Sequence, residues 1–332
     1  MPVVVIAHTT KDEAATELAV LGQRDDIEVV FHPKLDTPEA KAALAVCDAL
    51  TVGLHDVTDA MLAEMPNCKI VVRVGTGYDA IDFEAAAKRG VWVTNVPDYS
   101  IDEVSTHALS LLLALERNLK GHLGVIAQGN WGYLSASPIR RLRGQTLGVL
   151  GYGRIGSEMG RKGQGIGLRV ITHDPVVSPE RIRELGAEPV DFETLMRESD
   201  FLSLHVPLND STRRIINARA LSLMKPTAYL INTARGDVVD VDAVVDAVRA
   251  GTIAGAGIDV LPVEPPPVDS PVLHEPNIII TPHIGWASVE AGIDSRQRGA
   301  EDVLRVLRGE RPRTPVNEVP RTESREPSGV AG

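Results

Sequence analysis

Short β-branched runs that alternate with Ala- and Glu-rich stretches of helical length constrain this chain more than any other feature. Such runs stand at 3–6, 27–31, 70–74 and 91–93, and again at 147–150, 169–172, 201–205, 228–232, 254–259 and 277–281. A strand that returns to its own sheet through a helix lies parallel to the strand before it. The pattern therefore predicts α/β architecture, with parallel sheets covered on both faces by helices. Helix limits are written into the same segments. Thr37-Pro38-Glu39 offers a cap, a proline at the first helical position and a first-turn acid. Asp82 and Gly90 bracket one helix, and Asp240 and Gly251 bracket another over 241–250. Aromatic residues are 4% of the chain, so its cores fall to Val, Ile, Leu and Ala.

At 332 residues the chain suits two domains of ordinary size. A long helix is expected over 100–118, then a Gly-rich stretch over 121–132. An amphipathic helix over 289–307 should leave the second sheet and pack elsewhere. After about residue 319 apolar periodicity stops, which predicts a disordered tail over 319–332. The net charge of −11 weighs against nucleic acid or an anionic membrane as partner. No apolar run approaches the roughly 20 residues that a bilayer demands. The start of the chain reads as a strand rather than a leader, and Cys47 and Cys68 are too few for a disulfide framework. Cytoplasm is the expected compartment. The histidines form no ligand-spaced cluster, so no metal is expected.

Gly151-Tyr-Gly153-Arg-Ile-Gly156 comes directly after one predicted strand and opens a helix. In that setting the first glycine turns tightly, the second lets backbone approach a pyrophosphate, and the third seats the helix on the strand. Asp174 ends the next strand 18 residues past Gly156, where a carboxylate would hold a ribose 2′-hydroxyl and repel a 2′-phosphate. That favours NAD over NADP; the plainer alternative is a strand-end turn residue. Gly163-Gln-Gly165-Ile-Gly167 starts no helix and reads as a loop. Three further polar residues stand beyond strand ends: Arg235 in Asn232-Thr-Ala-Arg235-Gly236, Glu264 in a proline-rich turn, and His283 in Thr281-Pro-His283. His205, also at a strand end, reads as a structural residue, and Met224 as helix packing.

These motifs resemble the D-isomer-specific 2-hydroxyacid dehydrogenases, which include phosphoglycerate dehydrogenases, glyoxylate reductases and the C-terminal binding protein corepressors. The likeness runs from about 3 to 317 and adds Gly75-Thr-Gly77-Tyr-Asp79, Asn95-Val-Pro97 and His205-Val-Pro207 to the motifs above. It implies two Rossmann-like doubly wound domains. A nucleotide domain, 101–287, would be inserted into a flavodoxin-like substrate domain made of 1–100 and 288–318. It also implies a homodimer built on the region of 100–131. As catalytic residues it implies Arg235 on the substrate carboxylate and carbonyl, His283 as acid/base, and Glu264 orienting and charging His283. Gly75, Thr76 and Gly77 would cradle the carboxylate, with Thr76 also near the nicotinamide. Arg154, Ile155 and Asp174 would hold pyrophosphate and ribose beside Gly151, Gly153 and Gly156. Val206 would flank the nucleotide, Thr233 and Ala234 would line the nicotinamide site with Arg235 and His283, and Asp259 would bond its carboxamide.

Two residues bear on substrate choice. Arg73 either attracts a second acidic group or makes a salt bridge. Trp286, where many relatives carry a small residue, would wall the pocket against an apolar side chain. The expected activity is NAD-dependent interconversion of a 2-oxo acid and a D-2-hydroxy acid. The alternatives are an NAD(H)-sensing corepressor-like protein and a relative acting on formate or phosphite.

Overall fold

The structure is a computed structural model that describes residues 1–132 and 139–319. The expected tail lies outside it from residue 320 onward. The chain divides into two compact units, Met1–Tyr99 with the chain from Val289 on, and Ser100–Ser288.

In the first unit β1 (Val3–Ile6), β2 (Glu28–Phe31), β3 (Ala49–Val52), β4 (Ile70–Arg73) and β5 (Trp92–Thr94) form a parallel sheet in the order β2-β1-β3-β4-β5. Alternation along β1 sorts its two faces. Val4 and Ile6 join Ile70, Val72, Val303 and Leu304 in one core, while Val5 joins Leu50, Val52, Val71 and Val93 in the other. The helix Val289–Leu307 packs on β4 and on the helix Ala15–Leu21, as its amphipathic pattern requires. A Cβ on its Gly299 would stand 3.2 Å from Val72 Cγ1, so helix and sheet approach closely there. Asn317 takes the backbone at the start of β5 in both senses, accepting from Val93 N (2.9 Å) and donating to the O of Val91, just before the strand (2.9 Å). This covers part of an otherwise open sheet edge.

The sequence pattern does not reveal β3. Its four residues hold only two β-branched side chains and run straight on from a helical stretch, yet all four are buried at the centre of the sheet. The predicted caps are in place: Thr37, Asp82 and Asp240 accept from the backbone N–H groups of Ala40, Ala85 and Ala243.

In the second unit β6 (Thr146–Leu150), β7 (Arg169–His173), β8 (Glu188–Pro189), β9 (Phe201–Leu204), β10 (Tyr229–Asn232), β11 (Gly255–Ile258) and β12 (Ile278–Ile280) form a parallel sheet. Its order is β12-β11-β10-β9-β6-β7-β8, so strand order reverses between β6 and β9. This is a doubly wound sheet with the dinucleotide-type reversal. The two-residue edge strand β8, with its proline, carries no strand signal.

Two local expectations need revision. The long helix ends at Glu116, and Asn118, at φ 46°, turns the chain into a second helix, Leu119–Ala127. That helix runs through Gly121 and Gly124, in the stretch that reads as Gly-rich. A Cβ on Gly121 would meet only the end of the Asn118 side chain, at 2.5 Å from Oδ1. Likewise Gly163 and Gly165 lie inside the helix Arg154–Gly165 rather than in a loop, Gly163 against Leu147, and the chain turns at Gly167 (φ 89°). Met224 is buried in the core that holds the helix residues Leu221, Val244 and Val248, as its reading as helix packing expects. Among the described residues no helix is long and apolar enough to cross a membrane.

Candidate functional site

The loop after β6 is shaped by what its glycines lack. Gly151 has φ 87°, and a Cβ on it would stand 2.8 Å from the His205 carbonyl oxygen and 2.9 Å from Val206 Cγ1. A Cβ on Gly156 would meet the Gly151 carbonyl oxygen at 2.0 Å, so only glycine lets the helix sit on the turn. At Gly153 nothing lies within 4 Å of that position, which leaves the outer side of the turn open. The helix Arg154–Gly165 starts with no side-chain cap and no acid in its first turn. Its first N–H groups and its dipole therefore favour an anion. Arg154 is exposed there and Ile155 half-buried.

Asp174, just past β7, accepts from the N–H groups of Tyr152 (2.6 Å), Val176 (2.7 Å) and Val177 (3.0 Å). Those bonds fix its carboxylate at the strand end with lone pairs to spare for hydroxyls. Further along the same sheet, Thr233 Oγ1 is buried and has no protein partner. Ala234 beside it is half-buried. An open anion cradle, a fixed carboxylate and an orphaned hydroxyl fit the phosphates, ribose and nicotinamide of NAD.

β10, β11 and β12 are neighbours, and the loops leaving their carboxyl ends carry Arg235, Glu264 and His283. Asn232, the buried last residue of β10, accepts from Ala234 N (3.0 Å) and donates to Arg235 O (2.9 Å), which braces the turn. Arg235 is half-buried and donates from Nη1 to Ala234 O (2.7 Å). A Cβ on Gly236 would lie 2.1 Å from the Leu261 carbonyl carbon, so the Arg235 loop presses directly on the loop of Glu264.

Glu264 Oε1 accepts from Leu261 N (2.7 Å), and Oε2 lies 2.7 Å from His283 Nδ1. Burial pushes the Glu264 carboxyl up, but the bonds from His283 and Leu261 outweigh it and hold the group below its ordinary value. An ionised carboxylate only accepts, so His283 Nδ1 carries a proton and Nε2 is left for the reacting oxygen.

His283 has φ 55°, a left-handed conformation that is uncommon for a residue with a side chain and is held here by surrounding hydrogen bonds. Asp259 supplies that constraint. Its carbonyl accepts from His283 N (2.8 Å). Carboxylate Oδ1 accepts from Thr281 Oγ1 (2.5 Å) and Ile284 N (3.0 Å), and Oδ2 from Gly285 N (2.8 Å). His107 Nε2 lies 3.4 Å from the same Oδ1. Burial raises this carboxyl, and the bonds from His107, Thr281, Gly285 and Ile284 bring it net below its ordinary value. The resemblance implies a ligand contact for Asp259, but its structural duty to the His283 loop is not legible in the sequence. Neither are the roles of Asn232 and His107, which depend on which strand ends meet.

His205 pairs through Nε2 with Ser203 Oγ (2.8 Å), and burial pushes it down to about 4, so it is neutral near pH 7. Val206 beside it is buried and backs Gly151. Trp286, three residues past His283, is 38% exposed.

In the first unit Gly75-Thr76-Gly77 stands just past β4. Gly75 O accepts from Val96 N (2.9 Å), Thr76 O from Asn95 Nδ2 (2.6 Å), and Thr76 Oγ1 donates to Val96 O (3.3 Å). The Arg73 guanidinium folds over Gly75 and donates to Val74 O (2.8 Å).

A family model described as "D-isomer specific 2-hydroxyacid dehydrogenase, NAD binding domain" matches residues 109–285. The chain is 40% identical over 277 residues to a glyoxylate reductase of Thermococcus litoralis, covering 81% of this chain and 83% of the relative. It is 38% identical over 311 residues to a D-3-phosphoglycerate dehydrogenase of Mycobacterium leprae, covering 93% of this chain but 58% of that longer protein. A crystal structure of D-lactate dehydrogenase from Aquifex aeolicus, complexed with NAD and lactic acid, superposes with a TM-score of 0.85 at 30% identity. It covers 93% of this chain and 96% of that one. The chain belongs to the D-isomer-specific 2-hydroxyacid dehydrogenases, NAD-dependent oxidoreductases, and the unit Ser100–Ser288 carries the NAD-binding domain of that family.

Proposed function

We propose that this protein interconverts a 2-oxo acid and a D-2-hydroxy acid, working chiefly as an oxo-acid reductase. The observation that carries the reading is the 2.7 Å His283–Glu264 pair, set on the same sheet edge as Arg235. A fixed planar cation, a protonatable imidazole and an ionised partner are what a carbonyl next to a carboxylate needs.

Arg235 binds the substrate carboxylate and carbonyl oxygen, its guanidinium giving parallel hydrogen bonds and a charge that does not titrate. His283 gives a proton from Nε2 to the carbonyl oxygen during reduction and removes it from the hydroxyl during oxidation. Glu264 holds the ring in place through Nδ1. NAD supplies the hydride acceptor and NADH the donor when bound. Gly151, Gly153, Arg154, Ile155 and Gly156 take the pyrophosphate, Asp174 the ribose, and Val206, Thr233, Ala234 and Asp259 the rest of the dinucleotide.

The unit made of both chain ends serves the substrate, through the turn Gly75-Thr76-Gly77. Arg73 and Trp286 tune substrate choice, Trp286 favouring an apolar side chain. The named relatives act on glyoxylate, 3-phosphoglycerate and lactate, which supports a small oxo acid here. Leu119, Leu123, Ile126 and Trp131 expose apolar surface on and beyond the helix Leu119–Ala127, which supports a homodimer formed through that helix. Cys47 and Cys68 are free and buried, in keeping with the cytoplasm.

Replacing His283 by Ala tests the reading. NADH binding should persist while kcat falls about 10²–10⁴-fold, the usual contribution of a positioned acid/base. Full activity in His283→Ala would refute it.

A further inference from the structure

His107 stands in the middle of the helix Ile101–Glu116, where Ala108, Leu111 and Leu112 pack into the core. Its Nε2 is 2.9 Å from Thr281 Oγ1 and 3.4 Å from Asp259 Oδ1. Counting protons fixes the direction of each bond. The Asp259 carboxylate can only accept. Thr281 has one hydroxyl proton, which goes to Asp259 at 2.5 Å, so towards His107 its oxygen accepts. The donor is therefore His107 Nε2–H.

The chain of donors His107 to Thr281 to Asp259 ends on the loop that carries His283. Asp259 takes the N–H groups of the two residues after His283 with its side chain, and the N–H of His283 with its carbonyl. The assembly is closely packed. A Cβ on Gly285 would lie 2.9 Å from Asp259 Oδ2 and 3.5 Å from His107 Cδ2. The left-handed backbone of His283 thus depends on a carboxylate that is itself held by a hydroxyl, and the hydroxyl is held by a helix histidine.

We propose that His107 is a positioning residue for proton transfer: through Thr281 and Asp259 it keeps the His283 loop in the conformation that sets the imidazole against Glu264. The inference rests on the reading of His283 as the acid/base.

The test is NADH oxidation by the full chain, with whichever of glyoxylate, hydroxypyruvate, pyruvate and phenylpyruvate turns over fastest. His107→Leu should lower kcat about tenfold to hundredfold, as a small misplacement of a reacting group does, with KM and the Kd of NADH within about twofold. His107→Gln, whose side-chain amide can donate from the position of Nε2, should restore most of the loss. Thr281→Val should resemble His107→Leu, and the double variant should be no slower than Thr281→Val alone. Wild-type kcat in His107→Leu, a loss that Gln does not relieve, or losses that multiply in the double variant would each overturn the proposal. Full activity in His283→Ala, or a wild-type protein that turns over none of these acids, would strike the dehydrogenase reading itself.

Discussion

β1 and β6 each open a parallel sheet and each end where strand order reverses, the place where open α/β sheets bind ligands. The residues just past the two strands are unlike. After β6 come three glycines and an uncapped helix start, with open space beside Gly153. After β1 comes His8, with Nε2 2.6 Å from Glu17 Oε1 and Nδ1 3.1 Å from Thr51 Oγ1. Glu17 is 1% exposed, and Arg296 Nε reaches the same Oε1 at 3.7 Å. A buried acid, its histidine and an arginine thus cluster next to β1, where the second unit carries glycines. A strand-order reversal therefore appears twice in the chain, in sheets of different order, and only the second is followed by a glycine cradle.

The largest effect on this contrast is expected at Glu17. Glu17→Ala strands His8 beside Arg296, and breaking a buried pair from one side costs about 3–5 kcal/mol. Urea unfolding should show that loss while the Kd of NADH stays unchanged; a loss below about 1 kcal/mol would contradict a buried, paired role for Glu17.

A slightly smaller effect is expected at His205, whose carbonyl backs the cradle. It titrates near about 4 in the fold against 6.5 ordinarily, so the unfolded chain takes up a proton first as pH falls. Its contribution to stability is complete above pH 6.5 and is lost progressively down to about 4, by up to about 3 kcal/mol. His205→Asn should flatten the pH dependence of unfolding over that window; an unchanged slope would contradict the assignment.

Gly156→Ala approaches the same contrast from the nucleotide side. The added methyl meets the Gly151 carbonyl at 2.0 Å and lifts the helix from the turn. NADH affinity should fall about 100-fold, roughly 2.7 kcal/mol, by calorimetry or fluorescence titration. Unimpaired binding would show that the cradle tolerates a side chain after all. The smallest effect tests what the units share. Asp82→Ala and Asp240→Ala each remove a helix cap and should each cost about 1 kcal/mol in urea unfolding. A clear inequality would point to a difference between the units beyond the two strand ends.

The features legible in the sequence are those set by local rules. β-branched runs, caps at Thr37, Asp82 and Asp240, and the glycines of 151–156 each state their geometry within a few residues. β3 and β8 stay hidden because their strand character comes from their neighbours in the sheet, and Gly163 misleads because its packing on buried Leu147 puts it inside a helix. At the site, Arg235, Glu264 and His283 stand out as polar residues past strand ends. The brace of Asn232, the clasp of Asp259 on the His283 loop and the part of His107 do not. The bond between His107 and Thr281 joins residues 174 positions apart, and no local pattern records such a meeting.

With NADH supplying the hydride, Arg235, Glu264 and His283 should direct reduction of a 2-oxo acid to one face. The decisive measurement incubates the purified protein with NADH and pyruvate, hydroxypyruvate or phenylpyruvate and resolves the product on a chiral column. NADH oxidation with the D-2-hydroxy acid as product is expected. Tight NADH binding without turnover of any of them, or formation of the L-enantiomer, would contradict that assignment.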